Sequence, residues 1–141
     1  MMNQDTIKHL ELIQNIITRM NTNSFQIKGW SITITSALLA LYASNNTATF
    51  ILIAIAPTLL FWLLDTYYLW QERKFRGVYN DVAELTQINT IRLFEMPIQK
   101  YVTGKYNYFR VMWSITIWPI YFLPIIILFI GWLILSDTFC I

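Results

Sequence analysis

An aspartate inside an apolar run is the residue of this 141-residue chain that most needs a chemical explanation. Asp65 lies in FWLLDTYYLW, where an ionised carboxylate is costly unless it is paired or hydrated. It stands 15 residues beyond Phe50, roughly 22 Å at the helical rise, and so near one edge of the run. The partner on offer is Lys28, at the matching end of the preceding apolar stretch. Two roles fit the pair: an internal ion pair that fixes two helices, or an ion-attracting ring at a pore mouth. Ser31, Thr33, Thr35 and Ser36, with Ser114 and Thr116 further on, add a hydroxyl-rich layer at the same level. Such hydroxyls join helices by hydrogen bonds, and in an oligomer they can line a wet passage.

A second cluster is basic and aromatic. Arg73, Lys74, Phe75, Arg76 and Tyr79 are followed by Lys100, Tyr101, Lys105, Tyr106, Tyr108, Phe109 and Arg110. Cations interleaved with rings suit a ligand that carries phosphates and stackable bases, such as an oligonucleotide or cyclic nucleotide. Loops that anchor a membrane protein to its inner interface carry the same residues, so both readings stand. Nothing points to an enzyme. His9, the only histidine, reads as a polar-face residue of an N-terminal helix, and Cys140, the only cysteine, allows no intramolecular disulfide or thiolate cluster. No metal or cofactor is expected.

The elements that carry these residues follow from composition. Hydrophobic residues make up 56% of the chain and charged residues 13%, against roughly half and a quarter in soluble domains. A fold this small leaves roughly a third of its unfolded surface exposed, so lipid has to be part of the solvent. The expected fold is an all-α integral membrane protein with about three spans. Residues 1–24 place Ile7, Leu10, Ile13, Ile17 and Met20 at steps of three and four and form an amphipathic helix, packed on the rest of the protein or lying on the lipid surface. Asp5, Lys8, Glu11 and Arg19 interrupt this stretch, so no cleavable signal peptide is expected in it. Residues 25–44 and 50–70 are spans joined by a five-residue link, hence an antiparallel hairpin, with Pro57 kinking the second. That span is expected to continue as a stalk into a cytoplasmic region, 71–110, broken at Pro97 and Gly104. Residues 111–136 carry no charge and form the third span, bending at Pro119 and Pro124, before a short tail at 137–141.

Orientation follows from charge. With the N-terminus inside, all ten basic residues face the cytoplasm and neither the 45–49 link nor the tail has any. Trp30, Tyr67, Tyr68, Trp70 and Trp113 gather at the inner interface, Tyr42 and Trp132 at the outer. The match of residues 45–47 to a glycosylation sequon is taken as chance. The location implied is a bacterial inner membrane.

The words HLELIQNIITRMNTNSFQIKGW and FWLLDTYYLWQERKFRGVYNDV resemble stretches of small multi-pass membrane proteins of bacterial anti-phage defence operons, over roughly the first 85 residues. The Hailong type is similar in architecture. That resemblance implies an abortive-infection effector that permeabilises the inner membrane when a partner nucleotidyltransferase changes the level of its oligonucleotide signal, and it assigns no residue a role. The expected function is a homo-oligomeric channel or membrane-permeabilising effector of about four subunits, because three thin helices cannot enclose a pore alone. The competing expectation is a non-conducting scaffold or regulatory subunit that anchors a cytoplasmic partner.

Overall fold

The computed structural model describes residues 4–45, 47–83 and 91–138, with side chains as far as residue 134. Cys140, Asn46 of the sequon, and residues 84–90 of the expected cytoplasmic region lie outside them. The described chain is all-helical. Helix α1 spans Gln4–Asn45, α2 Thr49–Val82, α3 Tyr108–Met112 and α4 Trp118–Thr138, with two short 3-10 turns, Ile98–Lys100 and Gly104–Tyr106, between α2 and α3.

Two boundaries differ from those read in the sequence. The amphipathic helix and the first span are one unbroken helix, because the stretch from Arg19 to Lys28 holds neither proline nor glycine. Thr18 and Thr22 turn their hydroxyls onto the Gln14 and Thr18 carbonyls one turn back, and so do not compete for the backbone as caps. The 111–136 run is instead two helices. Val111 and Met112 end α3, a turn follows, and α4 starts at Trp118 with Pro119 in its first turn, where a missing N–H costs nothing.

Helix α2 is the axis on which the others pack. Leu10, Ile13 and Ile17 of α1 meet Val78 and Val82, so the amphipathic face covers the far end of α2. Trp62 packs with Val111, Ile117 and Tyr121, and Ile51 and Ala54 with Leu128, Leu38 and Tyr42. These pairings make α1 and α4 both antiparallel to α2. They bring the α1–α2 link and the far end of α4 to one end of the bundle. Outward, α2 exposes Leu52, Leu59, Leu60, Leu63 and Leu64, and α4 exposes Leu123, Ile126, Ile127, Phe129 and Ile130. Among the described residues α2 is the one helix long and apolar enough to cross a membrane, and Trp118–Ile134 is a shorter apolar helix.

Candidate functional site

Asp65 has no exposed surface and is held from two other helices. The Lys28 Nζ lies 2.7 Å from its Oδ2. The Tyr121 hydroxyl donates to the same oxygen at 3.1 Å, and the Ser24 hydroxyl donates to Oδ1. Lys28 also donates to the Ser24 Oγ, at 2.8 Å. Ser24 and Lys28 are one turn apart and share a face of α1, so α1, α2 and α4 all meet at one carboxylate. A carboxylate with three donors on it and no exposed surface is an internal tie; it has no free face with which to attract ions. Neither Ser24 nor Tyr121 was singled out by sequence reasoning. A signal did exist for Tyr121, the single phenol in the apolar run of α4, because a buried tyrosine hydroxyl needs a partner. Tyr121→Phe is expected to lower stability by about 1.5 kcal/mol, the net worth of a hydrogen bond to a charged group. Thermal unfolding in detergent micelles measures it, and an unchanged midpoint would show that Tyr121 does not help hold the carboxylate.

Next to this cluster is a cleft of about 190 Å³ between α1 and α4, lined by Lys28, Ser31, Thr35, Ser36, Ile120 and Pro124, with Thr58 of α2 at its floor. Thr35 and Thr58 share a hydrogen bond of 3.2 Å. The hydroxyl layer read from the sequence is therefore split. Ser31, Thr35 and Ser36 come together with Thr58, which sequence reasoning passed over. Thr33 instead turns back to the Gly29 carbonyl. Ser114 and Thr116 fall in the turn before α4 and do not line the cleft.

The basic cluster is divided in the same way by helical geometry. Arg73, Arg76, Gly77 and Asn80 recur at i, i+3, i+4 and i+7, one face of α2, and with Lys105 and Tyr106 they line a groove of about 250 Å³. Asn80 was missed, although the same spacing finds it. Arg76 is also paired with Glu72. Lys74 faces elsewhere: it is buried, with its ammonium 3.3 Å from the centre of the Trp70 ring, and desolvation pushes its pKa down. Tyr79 lines a different cavity, against Ile7, Leu10 and Glu11 of α1. Lys100 and Arg110 are exposed and stand outside the groove.

The segment carrying Lys105 is strapped across α2. The Trp70 indole donates to the Tyr106 carbonyl at 2.6 Å, and the Tyr101 hydroxyl donates to Asp81. Burial pushes the Tyr101 phenol up, and the Asp81 carboxylate adds to the effect, so it stays protonated and keeps donating. The strap turns at Gly104, whose φ of +63° suits glycine, and ends at Asn107, whose side chain caps α3 by accepting from the Phe109 N–H at 2.9 Å. Helix α3 in turn packs Val111 beside Tyr121. The groove and the Asp65 cluster are thus linked twice, along α2 and through strap, α3 and α4.

His9 is not on a polar face. It is buried, and its Nδ1 accepts from the Phe94 N–H at 3.3 Å, so it ties the start of α1 to the 91–96 turn. Hydrophobic periodicity put His9 off the apolar stripe, and only the returning chain covers it. Among the described residues no His, Cys, Asp and Glu side chains form a group able to hold a metal ion.

Among the described residues, fold and site together define an all-α protein in which α2 and α4 carry an apolar exterior and three long helices meet at a buried ionic tie, with a strapped basic groove at one end of the central helix. No protein-family model, no curated protein and no solved structure matches the chain.

Proposed function

We propose that this chain is a multi-pass bacterial inner-membrane protein, N-terminus in the cytoplasm, that assembles with about three further copies into a channel gated by a phosphate-bearing, nucleotide-type ligand in the Arg73–Arg76–Lys105 groove. In an anti-phage setting a partner nucleotidyltransferase makes that ligand. The carrying observation is α2 itself. Its 34 residues run unbroken for roughly 51 Å at the helical rise, well beyond a hydrocarbon core of about 30 Å. One continuous helix, with its proline, Pro57, on the far side of Asp65 from the groove, therefore bears Asp65 in the apolar layer and Arg73, Arg76 and Asn80 in the groove. Eight residues separate Asp65 from Arg73, roughly 12 Å along the axis, so a ligand that moves this end of the helix moves the membrane part with it.

The apolar exterior of α2 and α4 supports the lipid setting, and so does a polar cluster buried where three helices meet. The ligand class rests on three cations in one groove beside the Tyr106 ring. A polyanion bridging α2 and the strap favours the arrangement that holds both, and shifts the population as far as its differential affinity for that state allows.

The test is binding of short DNA oligonucleotides to the purified protein across a salt series, for wild type and Arg73→Ala/Arg76→Ala, with membrane leakage followed in cells. The expected result is binding that weakens with salt and a slope shallower by about one to two in the double variant, together with altered leakage. Absence of binding at low salt for any nucleotide tried overturns the ligand; binding without leakage leaves a non-conducting receptor.

A further inference from the structure

The geometry points to the cleft between α1 and α4 as the wet path of the assembly, along which water and ions pass Lys28, Ser31, Thr35, Ser36 and Thr58. This rests on the channel reading above and assigns the path within it.

Both helices lie on α2 while touching one another little, and the gap of about 190 Å³ left between them has room for about six waters at their liquid volume. Its walls differ from the outward surfaces of α2 and α4 at that level. Where α2 and α4 turn outward they show leucine, isoleucine and phenylalanine; inside the cleft, five of the eight lining residues are polar.

Two of the groups there have needs that lipid cannot meet. Ser31 is only 6% exposed as a residue and lines the cleft, so the surface it keeps opens there. A hydroxyl facing hydrocarbon without a hydrogen-bond partner is disfavoured. Pro124, on the opposite wall, has no N–H to give the carbonyl of Ile120 one turn back, and both residues line the cleft. In hydrocarbon an unpaired carbonyl is disfavoured. Water in the cleft satisfies both groups at once.

The outer face of α1 extends the pattern. Gln26, Gly29, Thr33, Ser36, Ala37 and Ala40 recur at steps of three and four and are exposed. Exposed Phe25, Trp30, Ile32, Leu39 and Leu41 flank this stripe; the stripe itself is placed toward neighbouring copies and the axis, with the leucine faces of α2 and α4 toward lipid. The neighbour then supplies the wall that a single chain lacks. Lys28 lines the cleft at its cytoplasmic end while bonded to Asp65 and Ser24. The ionic tie therefore closes the path, and a shift of α4, which carries Tyr121, or of α1 opens it.

The experiment is cysteine reactivity in the full-length protein in membranes, in a Cys140→Ser background. Single cysteines replace Ser31 and Ser36 in the cleft, and Leu60 and Ile127 on the exterior, and each is treated with a charged methanethiosulfonate reagent. Ser31→Cys and Ser36→Cys are expected to react on the order of tenfold faster than Leu60→Cys and Ile127→Cys, because only a hydrated thiol ionises. Modification at Ser36 is expected to change leakage of a small dye. Two results overturn the assignment while the channel reading stands: leakage with both cleft cysteines as slow as Leu60→Cys, or fast modification that leaves leakage unchanged. No leakage from any variant, with or without oligonucleotide, overturns the channel reading and the path together.

Discussion

Lys28→Met is expected to destabilise the helical unit by about 3–5 kcal/mol, the cost of leaving a buried charge without its partner. Asp65 cannot escape to water, being wholly buried at the junction of three helices. The reverse change is milder. In Asp65→Asn the ammonium of Lys28, 19% exposed, can swing its stem along the helix toward water; the amide oxygen, in the place of Oδ1, still accepts from Ser24, and the amide NH2, in the place of Oδ2, can donate to the Tyr121 hydroxyl oxygen. The double variant Lys28→Met/Asp65→Asn should therefore recover much of what Lys28→Met loses. The three variants and wild type form a cycle, read by denaturant unfolding in micelles and by the size of the assembly on gel filtration. A Lys28→Met protein as stable as wild type would remove the ion pair as the tie between α1 and α2. If both single variants are stable but conductance falls, Asp65 acts on ions after all.

Gly77→Ala carries the second large effect, on ligand binding. A Cβ at Gly77 meets the Tyr101 ring at 2.6 and 2.8 Å and the Tyr106 hydroxyl at 2.9 Å, closer than carbon tolerates. Neither ring can retreat freely. Tyr101 is bonded to Asp81, Tyr106 is held through its carbonyl by Trp70, and the two rings stack edge to face with centres 5.2 Å apart. The strap has to lift, at a cost of about 1–3 kcal/mol by the usual price of overpacking. Lys105 lifts with it, so one of three cations leaves the groove. If that loss amounts to about 1.4 kcal/mol of ligand contact, affinity falls roughly tenfold. Oligonucleotide binding and limited proteolysis across residues 102–105 read the two effects separately. Unchanged affinity with a lifted strap would exclude Lys105 from the ligand site, and no effect in either measurement would show that the close approach at Gly77 is not needed.

Where the sequence was legible, one physical rule governed. Hydrophobic period and the absence of breakers carry α2 from the apolar run into the basic segment as a single helix, and the cost of a buried carboxylate singles out Asp65 and asks for Lys28. Where it was not, two rules competed. The change from amphipathic to fully apolar pattern near Phe25 looks like an element boundary, yet the backbone has no reason to stop there, and α1 continues. The uncharged run 111–136 looks like one span, yet Ser114 to Trp118 turns and Pro119 opens a new helix.

The sequence by itself determined the helical class, the apolar exterior and the need for a counter-charge to Asp65, because these depend on residue type and spacing along one chain. Only the tertiary structure decided which donors complete that site and which cations share a groove. Ser24 and Tyr121 reach Asp65 across 41 and 56 residues, and Lys105 joins Arg73 and Arg76 only because a strap crosses α2 at a glycine. Basic and aromatic residues that look equivalent in the sequence are dealt to different faces by the 100° step of the helix and by the path of the returning chain, so Lys74 ends over a tryptophan ring and Tyr79 against α1.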